Sequence, residues 1–97
     1  MDTVNKLYII LQKAFLTQDV KVTDQSHLHE NHEEAQKASV GHYRIVIVST
    51  VFRKLTILER HRLVYRSLKD VFENEIHAVS IKTYTPEEFA RSKTGFK

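Results

Sequence analysis

The sequence predicts an α+β domain in the order αββαβα, with helices packed on one face of a three-stranded mixed sheet. Residues 76–86 alternate apolar and polar side chains, as a half-buried strand does. Two capping boxes, Thr56 with Glu59 and Thr85 with Glu88, mark helix starts on either side of this strand. A strand, a helix and a strand in succession indicate a right-handed parallel crossover.

The N-terminal part predicts one helix and one short strand. Apolar residues recur at helical spacing over Thr3 to Phe15, which indicates an amphipathic helix whose apolar stripe faces the core. The segment Asp19 to Asp24 then alternates, with Val20 and Val22 on one face. This alternation predicts a short strand.

A long polar segment separates this strand from the next. Residues 25–41 show no sustained periodicity, and we name them the histidine loop because they hold His27, His29 and His32. A loop of this length in a small domain is usually functional or disordered. The following run, His42 to Val48, is β-branched and nearly continuous. It predicts a central strand that is covered on much of both faces.

The second half predicts the crossover helix, the last strand and a short final helix. The helix that starts at Thr56 runs to about Phe72, and the final helix ends at about Ser92. The alternation of the last strand places His77 on its inward side, at the end of the sheet. A frayed tail over 94–97 completes one domain that spans residues 1–97. The predicted core includes Val46, Val48, Val64, Leu68, Val79 and Ile81.

Composition excludes several classes of protein. The 97 residues include no cysteine, so the chain has no disulfide, performs no thiol chemistry and holds no iron–sulfur cluster through its own thiolates. With only two glycines it has neither a nucleophile elbow nor a glycine-rich phosphate loop, and we expect no enzyme. Without a signal-like or membrane-spanning stretch, we expect a soluble, monomeric, cytoplasmic protein, or a mitochondrial one if it is eukaryotic and processed.

The charge is unevenly distributed. Residues 1–40 carry four lysines and six acidic residues, whereas residues 41–97 carry eleven basic and six acidic residues. A basic region of this kind is sufficient for contacts to phosphates, so one interpretation is DNA binding. The other interpretations are a solvated helix face and a surface that binds an acidic protein. The segment Phe52 to Leu55 is no Gly-x-x-Gly clamp for nucleic acid. The basic region comprises Arg53, Lys54, Arg60, Arg62, Arg66 and Lys69.

The histidines are candidate metal ligands. His29 and His32 are three residues apart rather than the four of a helical zinc-protease pair, and no cysteine can complete a tetrahedral structural site. Spacing alone therefore fits a solvated loop with incidental histidines equally well. For His77, both a hydrogen-bonded core histidine and a metal-binding or proton-handling group fit the pattern.

Several stretches, in this order and spacing, closely resemble the BolA-like family. They are Asp24 to His29, His42 to Ser49, Phe52 with Arg60 to Tyr65, and Ile76 to Thr83. The resemblance implies the αββαβα fold, related to the class II KH arrangement. It also implies a heterodimer with a monothiol glutaredoxin, with or without a bridging [2Fe–2S] cluster, in iron–sulfur trafficking or iron sensing. Some members of the family are described as DNA-binding transcriptional regulators.

The resemblance also implies site residues. His77 matches the C-terminal histidine ligand of the family, and His29 is the best match to its loop histidine, with His27 and His32 as weaker candidates. Glutaredoxin and glutathione would supply the sulfur ligands, in the way that thiolates bind one iron and two histidines the other in a Rieske centre. Without its partner, the chain would hold no cofactor. Lys54 departs from the family, which usually has glycine there. If that position needs a positive φ, lysine is strained.

Overall fold

The computed structural model describes residues 2–25, 41–74, 76 and 78–92, and it confirms the predicted order of elements. Residues 26–40 of the histidine loop, with His27, His29 and His32, lie outside the described residues, as do His77 and the tail. The described elements are α1 (Thr3–Ala14), β1 (Val20–Asp24), β2 (His42–Val48), a 3-10 helix (Thr50–Phe52), α2 (Ile57–Ser67), α3 (Lys69–Asn74), β3 (Ala78–Tyr84) and α4 (Pro86–Arg91).

The three strands form one mixed sheet with β2 in the centre. The outer strand β1 pairs antiparallel with β2, so that Val22 lies opposite Ile45. The other outer strand, β3, pairs parallel with β2, so that Ile45 lies opposite Ile81. The parallel pair is the predicted crossover, because α2 and α3 connect its two strands.

The core lies between one face of this sheet and the helices. Leu7 and Leu11 of α1 and Val64 of α2 are buried there. Burying a side chain of this size contributes roughly 1.5–3 kcal/mol, so this layer supplies most of the favourable free energy of folding. Val79 and Ile81 pack against it and are partly buried, on the inward side that the sequence predicts. The sheet side of the core comprises Val20, Val22, Tyr43, Ile45 and Ile47.

The prediction that Val46 belongs to the core is wrong. Along β2, Tyr43, Ile45 and Ile47 are buried, whereas Val46 is half-buried and lies on the opposite face. Val48 is buried, as predicted, but lies outside the main cluster. A continuous β-branched run contains no alternation that could show which of its two faces meets the helices.

The crossover helix is helical to the predicted end but is interrupted once. Both predicted capping boxes are present, and the C-cap of α2 is Leu68, where φ is −102° and ψ is 7°. The Leu68 N–H donates to the carbonyls of both Val64 and Tyr65, and the Phe72 N–H donates to the Leu68 carbonyl, so α3 continues directly. Within the described residues, no helix is both long and apolar enough to cross a bilayer.

Lys54 adopts the strained conformation that the comparison with the family suggested. Its φ is 65°, in a turn where the Leu55 N–H donates to the Phe52 carbonyl at 3.2 Å. The left-handed helical region of backbone conformation costs a residue with a Cβ atom roughly 1–2 kcal/mol. Glycine avoids this cost, although it loses more conformational entropy on folding. We therefore expect Lys54→Gly to raise the free energy of unfolding by about 0.5–1 kcal/mol.

Urea unfolding of purified variants measures this effect. Lys13→Gly is the matched control because Lys13 is an exposed lysine in the last turn of α1. Glycine destabilises a helix by up to about 1 kcal/mol, with the full cost in the helix interior. Opposite signs for the two variants are expected. A Lys54→Gly variant that is no more stable than the parent chain would show that the turn carries no strain.

Candidate functional site

The described neighbours of the predicted histidine ligands meet at one edge of the sheet. The N–H of Gln25, which precedes the undescribed part of the histidine loop, donates to the His42 carbonyl at 2.9 Å. Ala78, the residue after His77, pairs with His42 across the parallel ladder. The Ala78 N–H also donates to the carbonyl of Gly41, the last residue of the loop, at 3.3 Å. We name Gln25, Gly41, His42 and Ala78 the histidine edge.

Local sequence explains why the chain is held at this edge. Gly41 is buried and has a φ of 77°, a conformation that costs glycine little, and β2 starts immediately after it. Ile76 is buried in the core, and Ala78 is fixed by the ladder. Both sequence neighbours of His77 are thereby placed, although His77 itself is not among the described residues.

His42 also lies at this edge, although the sequence predicts it only as the start of a strand. Its side chain is half-buried, and its Cα pairs with that of Ala78. The available signal for this position in the sequence was that His42 lies between a glycine and a β-branched run. Among the described residues, no three His, Cys, Asp or Glu side chains lie close enough together to hold a metal ion. The described residues do not form a metal centre without further ligands.

The structure divides the predicted basic region into two groups, of which the first is engaged with α4. Arg60 is only 5% exposed, and its Nη1 and Nη2 donate to the two carboxylate oxygens of Glu88 at 2.6 and 3.1 Å. Its Nε donates to the Leu55 carbonyl at 3.1 Å, and its guanidinium lies 5.8 Å from the ring centre of Phe52. Arg60 thus bridges the start of α2 and the start of α4.

Arg53 makes a second and more exposed pair with α4. Its Nε and Nη2 donate to Glu87 at 2.9 and 2.7 Å, and the two side chains are 53% and 51% exposed. The hydrogen bonds from Arg60 and from the Thr85 N–H lower the pKa of Glu88 to about 2. The hydrogen bond from Arg53 likewise lowers the pKa of Glu87. These two pairs hold α4 against the beginning of α2.

The second group of basic residues is exposed. Lys54, Arg62, Arg66 and Lys69 make no salt bridge to any residue in the described ranges. Leu58 and Tyr65 are exposed among them, at 59% and 45%. Four of the six predicted cations are therefore available to a polyanion, and large apolar side chains are exposed along α2.

Comparisons with known proteins place the chain in a defined group. The family model described as BolA-like protein matches residues 11–88. The chain is 32% identical over 79 residues to the DNA-binding transcriptional regulator BolA of Haemophilus influenzae, covering 81% of this chain and 73% of that protein. It is 33% identical over 92 residues to the UV-induced protein uvi31 of Schizosaccharomyces pombe, covering 91% and 90%.

Solved structures show the same fold. BolA1 from Arabidopsis thaliana superposes with a TM-score of 0.76 at 30% identity, covering 91% of this chain and 96% of that one. The BolA domain of SufE1 from the same plant gives a TM-score of 0.75 at 29% identity, covering 91% and 98%. The similarity therefore extends over most of both chains in each pair.

Proposed function

Because this chain belongs to the BolA-like protein family, we propose that it is an adaptor that binds a monothiol glutaredoxin and shares a [2Fe–2S] cluster with it, in iron–sulfur cluster trafficking or iron regulation. The observation that carries the proposal is the histidine edge. It brings together Gly41 at one end of the histidine loop, Gln25 at the other and Ala78 beside His77. Ligands that are distant in sequence can therefore converge on one partner.

The donor set of the chain agrees with this role. With no cysteine, it contributes imidazoles and leaves the thiolate ligands to glutaredoxin and glutathione. We propose His77 and His29 as the ligands from this chain, with His27 or His32 as substitutes for His29. A cluster held in this way is cargo that carries iron and one-electron redox chemistry. The residues of this chain serve to orient it and to replace two sulfur ligands.

The experiment that tests the proposal mixes the purified chain with a cluster-loaded monothiol glutaredoxin and records the visible spectrum. Replacing thiolate with imidazole ligands changes the charge-transfer bands, so we expect a shifted spectrum together with a heterodimer in gel filtration. The same glutaredoxin without this chain is the control. An unchanged spectrum and no co-elution would refute the proposal.

A second function, DNA-binding transcriptional regulation, is supported by two observations. The relative from Haemophilus influenzae carries that description, and Arg62, Arg66 and Lys69 are exposed cations. Contacts to phosphates alone weaken steeply as salt rises, whereas base readout keeps its sequence preference. Tight, sequence-selective DNA binding that survives raised salt, without any glutaredoxin binding, would make this the better function.

A further inference from the structure

An exposed stripe of apolar and cationic side chains runs along the outer face of α2. Its members are Leu58, Arg62, Tyr65 and Arg66, and we name them the outer stripe. Arg62 follows Leu58 by four residues, and Tyr65 and Arg66 follow Arg62 by three and four, which places them on one face of a helix. Leu58 and Tyr65 are 59% and 45% exposed, while Val64, on the inward face of α2, is fully buried. The stripe is therefore surface that the described part of the chain leaves exposed.

The apolar members of the stripe have the properties of binding anchors. The ring of Tyr65 stacks on Phe72, with centroids 5.1 Å apart and planes inclined by 21°. A ring held in this way loses little freedom on binding, so its burial by a partner is not offset by a large entropy cost. Leu58 lies two helical turns away, about 10 Å along the axis. Two anchors at this spacing fit a contiguous apolar patch on another protein.

The charges on the stripe indicate the kind of partner. Arg62 and Arg66 make no salt bridge within the described ranges, although Arg62 attracts the Glu59 carboxylate on the same helix. Arg53 and Arg60, by contrast, are paired with α4. A phosphate backbone would use the two arginines but would leave Leu58 in water. Apolar and aromatic side chains beside arginine are typical of the centre of a protein interface. The stripe therefore favours a protein with an apolar patch bordered by carboxylates.

The stripe leads towards the histidine edge. Arg60 lies near the start of α2 and contacts Glu88, which follows the C-terminal end of β3. From there the chain runs through α2 and α3 to Ile76 and then to Ala78, at the opposite end of β3. Tyr65 and Arg66 consequently lie on the half of α2 nearer to the histidine edge.

We propose that the outer stripe is the docking surface for the glutaredoxin, which it recognises through an apolar patch bordered by Asp or Glu side chains. The inference rests on the proposed function and assigns binding of the partner and ligation of the cluster to two different surfaces. The stripe supplies affinity whether or not a cluster is present, and the histidine edge supplies ligation. Removing an anchor from the stripe should therefore weaken the complex without removing any ligand.

The test measures the affinity of a cluster-free monothiol glutaredoxin by calorimetry. Leu58→Ser, Tyr65→Ser and Arg62→Glu should each weaken binding about tenfold or more, and the effect of Arg62→Glu should shrink as salt rises. The matched controls are Ile9→Ser and Lys13→Glu on the exposed side of α1, which should change affinity less than about twofold. All five side chains are exposed, but Tyr65 also stacks on Phe72. The thermal midpoint of each variant therefore has to show that its fold is intact.

Three outcomes overturn the inference. If the stripe variants bind as tightly as the parent chain, or only the α1 variants lose affinity, docking lies elsewhere and the proposed function is unaffected. If the parent chain fails to bind cluster-free glutaredoxin, cluster-independent docking is wrong, and the spectrum of the loaded mixture still tests the function separately. If only Arg62→Glu matters and duplex DNA competes for the surface, the stripe is a polyanion site and not a protein-docking surface.

Discussion

His77→Ala is expected to abolish the perturbed spectrum of the cluster-bound heterocomplex while the fold remains intact. Both sequence neighbours of His77 are placed, since Ile76 is buried in the core and Ala78 pairs with His42. No other histidine lies within ten residues of it along the chain. The histidine loop, by contrast, holds three histidines within six positions, so that one can replace another. The loss of His77 therefore leaves no substitute close to it in sequence, and His42, the other histidine at the histidine edge, is fixed in β2.

The loop variants should show a graded response. His29→Ala should weaken or shift the spectrum, and His27→Ala or His32→Ala should do less. Ligation should also weaken as pH falls through about 6.5, where imidazoles take up a proton and stop binding metal. His61→Ala is the matched control because His61 lies on α2, outside the histidine edge. If His77→Ala leaves the spectrum of the heterocomplex unchanged, His77 is a packing residue and the ligand assignment is wrong.

Arg60→Ala is expected to lower the free energy of unfolding by about 2 kcal/mol. Arg60 is buried, but the Glu88 side chain is 37% exposed, so the loss stays below the cost of breaking a fully buried ion pair. The change removes the partner of Glu88, leaves the Leu55 carbonyl without its donor and opens space beside Phe52. Arg53→Ala is the matched control. It breaks an equivalent pair with the adjacent Glu87, but there both side chains are half exposed, so it should cost only a small part of the Arg60 effect.

The acid dependence of stability gives a second measurement of the same pair. In the fold the pKa of Glu88 is about 2, below its usual 4.5. Its contribution is therefore complete above about pH 4.5 and is lost as the pH falls towards 2. Urea titrations at several pH values in this range measure the free energy of unfolding. As the pH falls, this free energy should decrease less steeply for Arg60→Ala and Glu88→Gln than for the parent chain. Equal slopes in all three proteins would show that the Arg60–Glu88 pair does not stabilise the native state.

Tertiary contacts decided the roles of the basic residues. From the sequence, Arg53 and Arg60 belong with Arg62 and Arg66, because all four are cations around one helix. In the fold, Arg60 reaches a carboxylate 28 residues further along the chain, and Arg53 reaches one 34 residues away. No local pattern contains such a pairing, since it depends on where β3 places α4. Two local signals were available, the capping-box glutamate Glu88 and the position of Arg60 early in its helix, close to Glu59 and to backbone carbonyls such as that of Leu55.

The site itself was predictable only through the family resemblance. His77 and His29 were assigned by their match to family positions, and they remain predictions because they lie outside the described residues. The structure adds the meeting of Gly41, His42 and Ala78 at one edge of the sheet. That meeting follows from the parallel register of β2 and β3, which spacing along the chain does not reveal.

By itself the sequence determined the features whose causes lie within a few residues. The capping boxes at Thr56 and Thr85 are set by hydrogen bonds that span three residues, and the inward side of β3 is set by its period of two. Only the tertiary structure decided which face of β2 meets the helices, because a strand that is apolar on both faces is compatible with either. Side-chain packing from α1 and α2 resolves that choice and puts Ile45, not Val46, in the core.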